Sequence, residues 1–148
     1  ILPQQGNRTS SFERKVNGKW YSFDDNPMGI KRMRFGFLGD EILWEYEKGS
    51  SGHRLRLGIG KTVQGPFPQK NGFGEKIGTL SDRCYNCLAS AAWVEDHILN
   101  MLVYITDIHL GSLKMTVSFK DNEATVYMTK AAEWFLDEYE GAASGRCE

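Results

Sequence analysis

The chain has 148 residues, 41% of them apolar and 25% charged, with a formal net charge of −1. That length suits one domain burying about 70% of its unfolded surface, so folding needs no metal or disulfide staple, and the apolar share excludes a disordered chain. A charge this near zero argues against nucleic acid as a partner, and the longest near-apolar run, Met101 to Ile105, falls far short of the ~20 residues of a membrane-spanning helix.

Residues 1–17 read as a linker-like segment, and a chain opening on Ile without a signal-peptide pattern reads as an excised piece or a mature form. Strand signals begin at Gly18 to Phe23, and Asp24 to Gly29 is a turn cluster. Ile30 to Phe37 alternates Met33, Phe35 and Phe37 against Arg32, Arg34 and Gly36, the period of a strand with one wet face. Past a turn at Gly39-Asp40, Glu41 to Glu47 sets Ile42, Trp44 and Tyr46 against Glu41, Glu45 and Glu47. Lys48 to Gly52 is a loop, and His53 to Ile59 alternates again through Leu55, Leu57 and Ile59.

Gly60 to Lys76, rich in Gly with Pro66 and Pro68, has no clear period and reads as a long connection with at most one short strand; Ile77 to Leu80 is a brief strand candidate. Tyr85 to Val94 is nearly continuous and apolar, and its Ala89, Ser90, Ala91 and Ala92 would let a neighbouring element approach closely. Ile98 to Asp107, Gly111 to Phe119 and Glu123 to Met128 complete a meander. From Thr129 as N-cap, Ala131, Trp134, Phe135 and Tyr139 fall at helical spacing, and Gly141 is a stop, which predicts a C-terminal α-helix and a frayed tail at 142–148. About eight or nine antiparallel strands plus one helix predict an all-β closed barrel over 18–141.

Charge is unevenly spread. Residues 1–80 carry 13 Lys/Arg against 8 Asp/Glu, and residues 81–148 carry 5 against 11. Interleaved strands would let the two signs neutralise each other.

Chemistry is sparse. Gly58-Ile59-Gly60-Lys61-Thr62 imitates the end of a phosphate loop, but Leu55 stands where the first Gly belongs and Gly65-Pro66 forbids the following helix. Cys84 and Cys87 form a CxxC pair with no second pair for a metal; buried reduced thiols and a local Cys84–Cys87 disulfide both remain open. Asp107 and His109, two apart on a strand, suit an oriented base or a solvated turn. No Ser-x-x-Lys or Gly-x-Ser-x-Gly nucleophile motif occurs, so no catalytic, metal or cofactor residue is assigned. Trp20, Phe35, Phe37, Trp44, Tyr46, Trp93 and Tyr104 are the candidate lining of the barrel, either filling it or framing a ligand pocket.

Gly18-Lys19-Trp20 resembles the strand opening of lipocalin-like barrels. With Asn26 to Ile30, Gly65 to Pro68, Cys87 to Glu95 and Ala132 to Tyr139, the chain resembles the lipocalin-like domain appended C-terminally to bacterial beta-lactamase-like serine hydrolases, whose catalytic Ser and Lys lie in the preceding domain. The resemblance implies a non-catalytic accessory domain whose partner is that hydrolase domain, extracytoplasmic if the parent acts on cell-wall peptides or beta-lactams. The alternative is a stand-alone carrier of a small apolar ligand. An enzyme built on Asp107 and His109 is the third reading.

Overall fold

The computed structural model describes residues 2–70, 84–107, 110–132 and 135–148, with residues 69, 70 and 84 by backbone alone. Inward and outward residues alternate along almost every strand, and one sheet curls into a barrel around them. Its strands are β1 (Trp20–Phe23), β2 (Ile30–Leu38), β3 (Glu41–Lys48), β4 (Ser51–Ile59), β5 (Val63–Lys70), β6 (Cys84–Glu95), β7 (Ile98–Thr106), β8 (Leu110–Lys120), β9 (Glu123–Ala131) and β10 (Gly141–Cys147). The order around the wall is β4-β3-β2-β1-β10-β9-β8-β7-β6-β5.

The described residues form ten strands where eight or nine were expected, and one junction is parallel. The barrel closes where Gly58 and Ile59 of β4 pair in parallel with Ser90 and Ala91 of β6. On the same edge of β6, residues 84–89 pair antiparallel with β5. β4 and β5 share no ladder, so a seam runs between them in the wall. β5 falls within the stretch expected to be a connection. Its Pro66 and Pro68 obscure a strand signal because proline donates no ladder bond, and they suit a strand paired on one side only. The strand expected at Ile77 to Leu80 lies outside the described residues.

The expected C-terminal helix is not formed by the described residues. β9 runs on through Lys130 and Ala131, which pair with Leu113 and Ser112 of β8. A short 3₁₀ turn at Asp137–Tyr139 follows, entered through Leu136 in the left-handed region, which a continuing helix forbids. The apolar stripe does bury Phe135 and Tyr139, by folding them across the barrel mouth; Glu133 and Trp134 lie outside the described residues. The tail expected to fray is β10, which fills the gap between β1 and β9. A Cβ on Gly145 would stand 2.5 Å from the Ser22 carbonyl oxygen and 2.8 Å from the Phe23 ring, so only Gly allows this approach.

The N-terminal segment is not a free linker. Asn7 bridges Trp93 through two backbone hydrogen bonds of 2.7 and 2.8 Å, and Gln4 N–H donates to the Ser90 hydroxyl at 2.8 Å. This strap covers outward-facing Ser90 and Ala92, so the small residues of β6 do admit a neighbour. A one-turn helix, α1 (Glu13–Val16), then buries Val16, and the Asn17 side chain accepts from Phe37 N–H.

On the outer face, Arg34 meets Glu45 at 2.6 Å, Arg56 meets Glu41 at 2.7 Å, and Arg32 reaches Glu47 and Glu148. The arginines 32 and 34 also lie over the Trp20 ring, at 3.9 and 4.7 Å from its centroid. Among ion pairs between described residues, Arg32–Glu148 is the one that joins the basic and acidic halves. Neutralisation is therefore mostly local, by cross-strand register.

Candidate functional site

Period-two alternation aims Met33, Phe35 and Phe37 of β2, Ile42, Trp44 and Tyr46 of β3, and Leu55, Leu57 and Ile59 of β4 into the barrel, where all are buried. Trp93 on β6 joins them. Five of the seven candidate lining residues therefore face inward: Phe35, Phe37, Trp44, Tyr46 and Trp93. Trp20 and Tyr104 do not. Each is half-buried and precedes an inward residue, Tyr21 or Ile105, so the pleat turns both to the outer face.

The rings are arranged in contact. Trp44 stacks on Tyr46 with centroids 4.2 Å apart, and Tyr46 stacks on His53 at 5.0 Å. Nearer α1, Phe37 stacks on Trp93 at 5.8 Å and Phe119 stands edge-on to Phe35 at 5.8 Å. At the mouth, the Tyr46 and Tyr139 hydroxyls are 2.9 Å apart, and Tyr139 packs edge-on against Phe67 at 5.5 Å. Burial raises both phenols' pKa, Tyr46 well above the ordinary value. The Lys48 ammonium lies 4.4 Å from the Tyr139 ring centroid, and its burial lowers its pKa. Lys130 donates to the Phe135 carbonyl and to the Asp137 carboxylate.

The opposite wall differs. All five methionines are buried, and three of them, Met101, Met115 and Met128, are in direct register on β7, β8 and β9. Ala91 of β6 continues that row, and the other inward positions of β6 include Cys87 and Ala89. Methionine is flexible and polarizable, so this wall can reshape around a guest. The row could have been found in the sequence, since each Met sits at an inward position of a strand that alternates. Outside the lumen, a cleft of about 400 Å3 follows the seam, lined by Leu43, Arg54, Leu55, Arg56 and residues 63–66.

Among the described residues three buried side-chain donors lack partners, and two of them are the indole N–H groups of Trp44 and Trp93 inside the barrel. The third unpartnered buried atom, Nε of Arg32, lies on the outer face beside Trp20.

Cys87 is a free thiol rather than half of a disulfide, and its burial pushes its pKa up to about 12. Asp107 accepts from Asn86 N–H at 3.1 Å, and His109 lies outside the described residues. Gly58 to Thr62 is the exit from β4, with Lys61 on Asp40 at 3.0 Å. Among the described residues no three His, Cys, Asp or Glu gather as a metal site, and no helix is long and apolar enough to cross a membrane.

With this geometry in place, comparison with solved structures is informative. The chain is similar in fold to fatty-acid-binding proteins. The fatty-acid-binding protein of Drosophila melanogaster brain tissue aligns with 88% of this chain and 98% of its own, at TM-score 0.54 and 11% identity. That of Manduca sexta aligns over 90% and 98%, at 0.52 and 10%. The apo lipid binding protein 8 of Caenorhabditis elegans aligns over 95% and 99%, at 0.59 and 8%. No family model matches the chain, and no curated protein matches its sequence. At these identities the likeness is one of fold.

Proposed function

We propose that the chain is a non-catalytic carrier of a small apolar ligand held in the barrel interior. The observation that carries this reading is the contrast between the two inner walls. Eight strands already make a lumen that side chains just fill, and diameter grows with strand number. The ten strands of the described residues enclose more, yet between the inward rings of Tyr85 and Trp93 β6 presents only Cys87, Ala89 and Ala91, and Ala91 continues into the row of Met101, Met115 and Met128. The fold likeness to fatty-acid-binding and lipid binding proteins supports the same reading.

The experiment is a titration of delipidated protein with diphenylhexatriene, an uncharged hydrocarbon probe. Saturable one-to-one binding, with energy transfer from tryptophan, is expected. Probe fluorescence that never rises above the solvent value would remove the carrier reading. The comparisons give no support to a serine-hydrolase parent, so the accessory-domain reading rests on the sequence resemblance alone. An upstream Ser-x-x-Lys domain in the same reading frame would be its test.

A further inference from the structure

We infer that the interior selects an uncharged amphiphile, an alcohol, ester or ketone, whose oxygen accepts from an indole N–H group, that of Trp44 or of Trp93, and that it discriminates against a carboxylate anion. This rests on the carrier reading and names its ligand class.

An indole nitrogen only donates. Trp44 and Trp93 are each 1% exposed, and neither N–H has an acceptor. A buried donor left unmade carries its whole desolvation cost, so each indole inside the barrel marks a place where an acceptor belongs. Trp93 adjoins the methionine row through Ala91, one inward step along β6, so an apolar chain resting on that row can bring its polar end to an indole.

The other polar groups of the interior sit at the mouth or carry partners. The Tyr46 and Tyr139 hydroxyls bind each other, which uses one of their two hydrogens, and His53 Nδ1 meets the Pro68 carbonyl. Lys130 is held by Phe135 and Asp137. Lys48 lies against the Tyr139 ring at the mouth, with Glu138 as its opposing charge. Buried Ser90 faces the strap and is bonded to Gln4. Among the described residues, no cation faces the lumen below the Tyr46–Tyr139 contact. An anion carried there would be desolvated without a counter-charge, a large cost.

The test compares dodecanol with dodecanoate at pH 8 on the full chain, with diphenylhexatriene as the hydrocarbon control. Dodecanol is expected to bind at least about tenfold more tightly, and the ¹⁵N-labelled indole signals of Trp44 and Trp93 to shift as it saturates the site. Trp44→Phe and Trp93→Phe should each lower the ratio of dodecanol to diphenylhexatriene affinity about fivefold, the loss of one neutral hydrogen bond. An unchanged far-ultraviolet circular dichroism spectrum reports that the variants fold. Equal or tighter dodecanoate binding, or indole signals unmoved at saturation, would overturn the inference and leave the carrier reading standing. Failure of every probe to bind would take both down.

Discussion

The hydroxyls of Tyr46 on β3 and Tyr139 in the segment before β10 meet at 2.9 Å across 93 residues of chain, both buried. This contact ties the mouth segment to the wall. Tyr139→Phe should lower stability by about 1–3 kcal/mol, because it strands the Tyr46 hydroxyl in an apolar setting. The double variant Tyr46→Phe/Tyr139→Phe should lose less than the sum of the single changes. Urea denaturation of the four proteins gives the coupling directly; strict additivity would mean that the bond contributes nothing.

Ala91 is where the small wall meets the methionine row, in register with Met101. Ala91→Phe should remove diphenylhexatriene binding by filling the lumen, at an overpacking cost of about 1–3 kcal/mol. Circular dichroism would show an intact β spectrum beside the lost titration signal. Unchanged probe affinity would place the ligand elsewhere.

Alkaline pH should destabilise the fold. Burial raises the Cys87 thiol from 9.0 to about 12 and the Tyr21 phenol from 10.0 to about 12. Above pH 9 the unfolded chain releases protons that the native chain retains, so stability falls as pH rises, until the native groups ionise near pH 12. Each group contributes a slope of about 1.4 kcal/mol per pH unit within its window. Urea midpoints between pH 8 and 11 should fall for the natural protein and less steeply for Cys87→Ala.

Gly145 has no room for a side chain beside Ser22 and Phe23. Gly145→Val should cost about 2 kcal/mol or more, as overpacking against backbone that cannot yield. Gly65→Ala, where a Cβ meets nothing within 4 Å, is the control. Thermal melts of the two variants should separate clearly.

The parts legible in the sequence were those where period two is strict. From Met33 to Phe37, Ile42 to Tyr46 and Leu55 to Ile59, the inward face followed directly from alternation. Trp20 and Tyr104 were misplaced because being aromatic says nothing about which side of the pleat a residue takes. β10 was invisible: Gly141-Ala142-Ala143-Ser144-Gly145 has little β-propensity and forms a strand because β1 and β9 offer it two unpaired edges. The mouth segment imitated a helix because Phe135 and Tyr139 have apolar partners in the barrel, Tyr85 and Phe67, which the chain's periodicity does not register. The orphaned indoles, on which the proposed ligand class rests, are a property of three-dimensional surroundings and leave no pattern in a linear chain.

The ring of strands is incompletely stitched. Between β4 and β5 the only described polar link is the 3.0 Å contact of His53 Nδ1 with the Pro68 carbonyl. Up to the two pairs, Gly58 with Ser90 and Ile59 with Ala91, that clasp β4 to β6, spreading the wall there severs no rung of the backbone ladder. The girth of the barrel can thus change along a single line, on the open side of that clasp, while the paired strands keep their register.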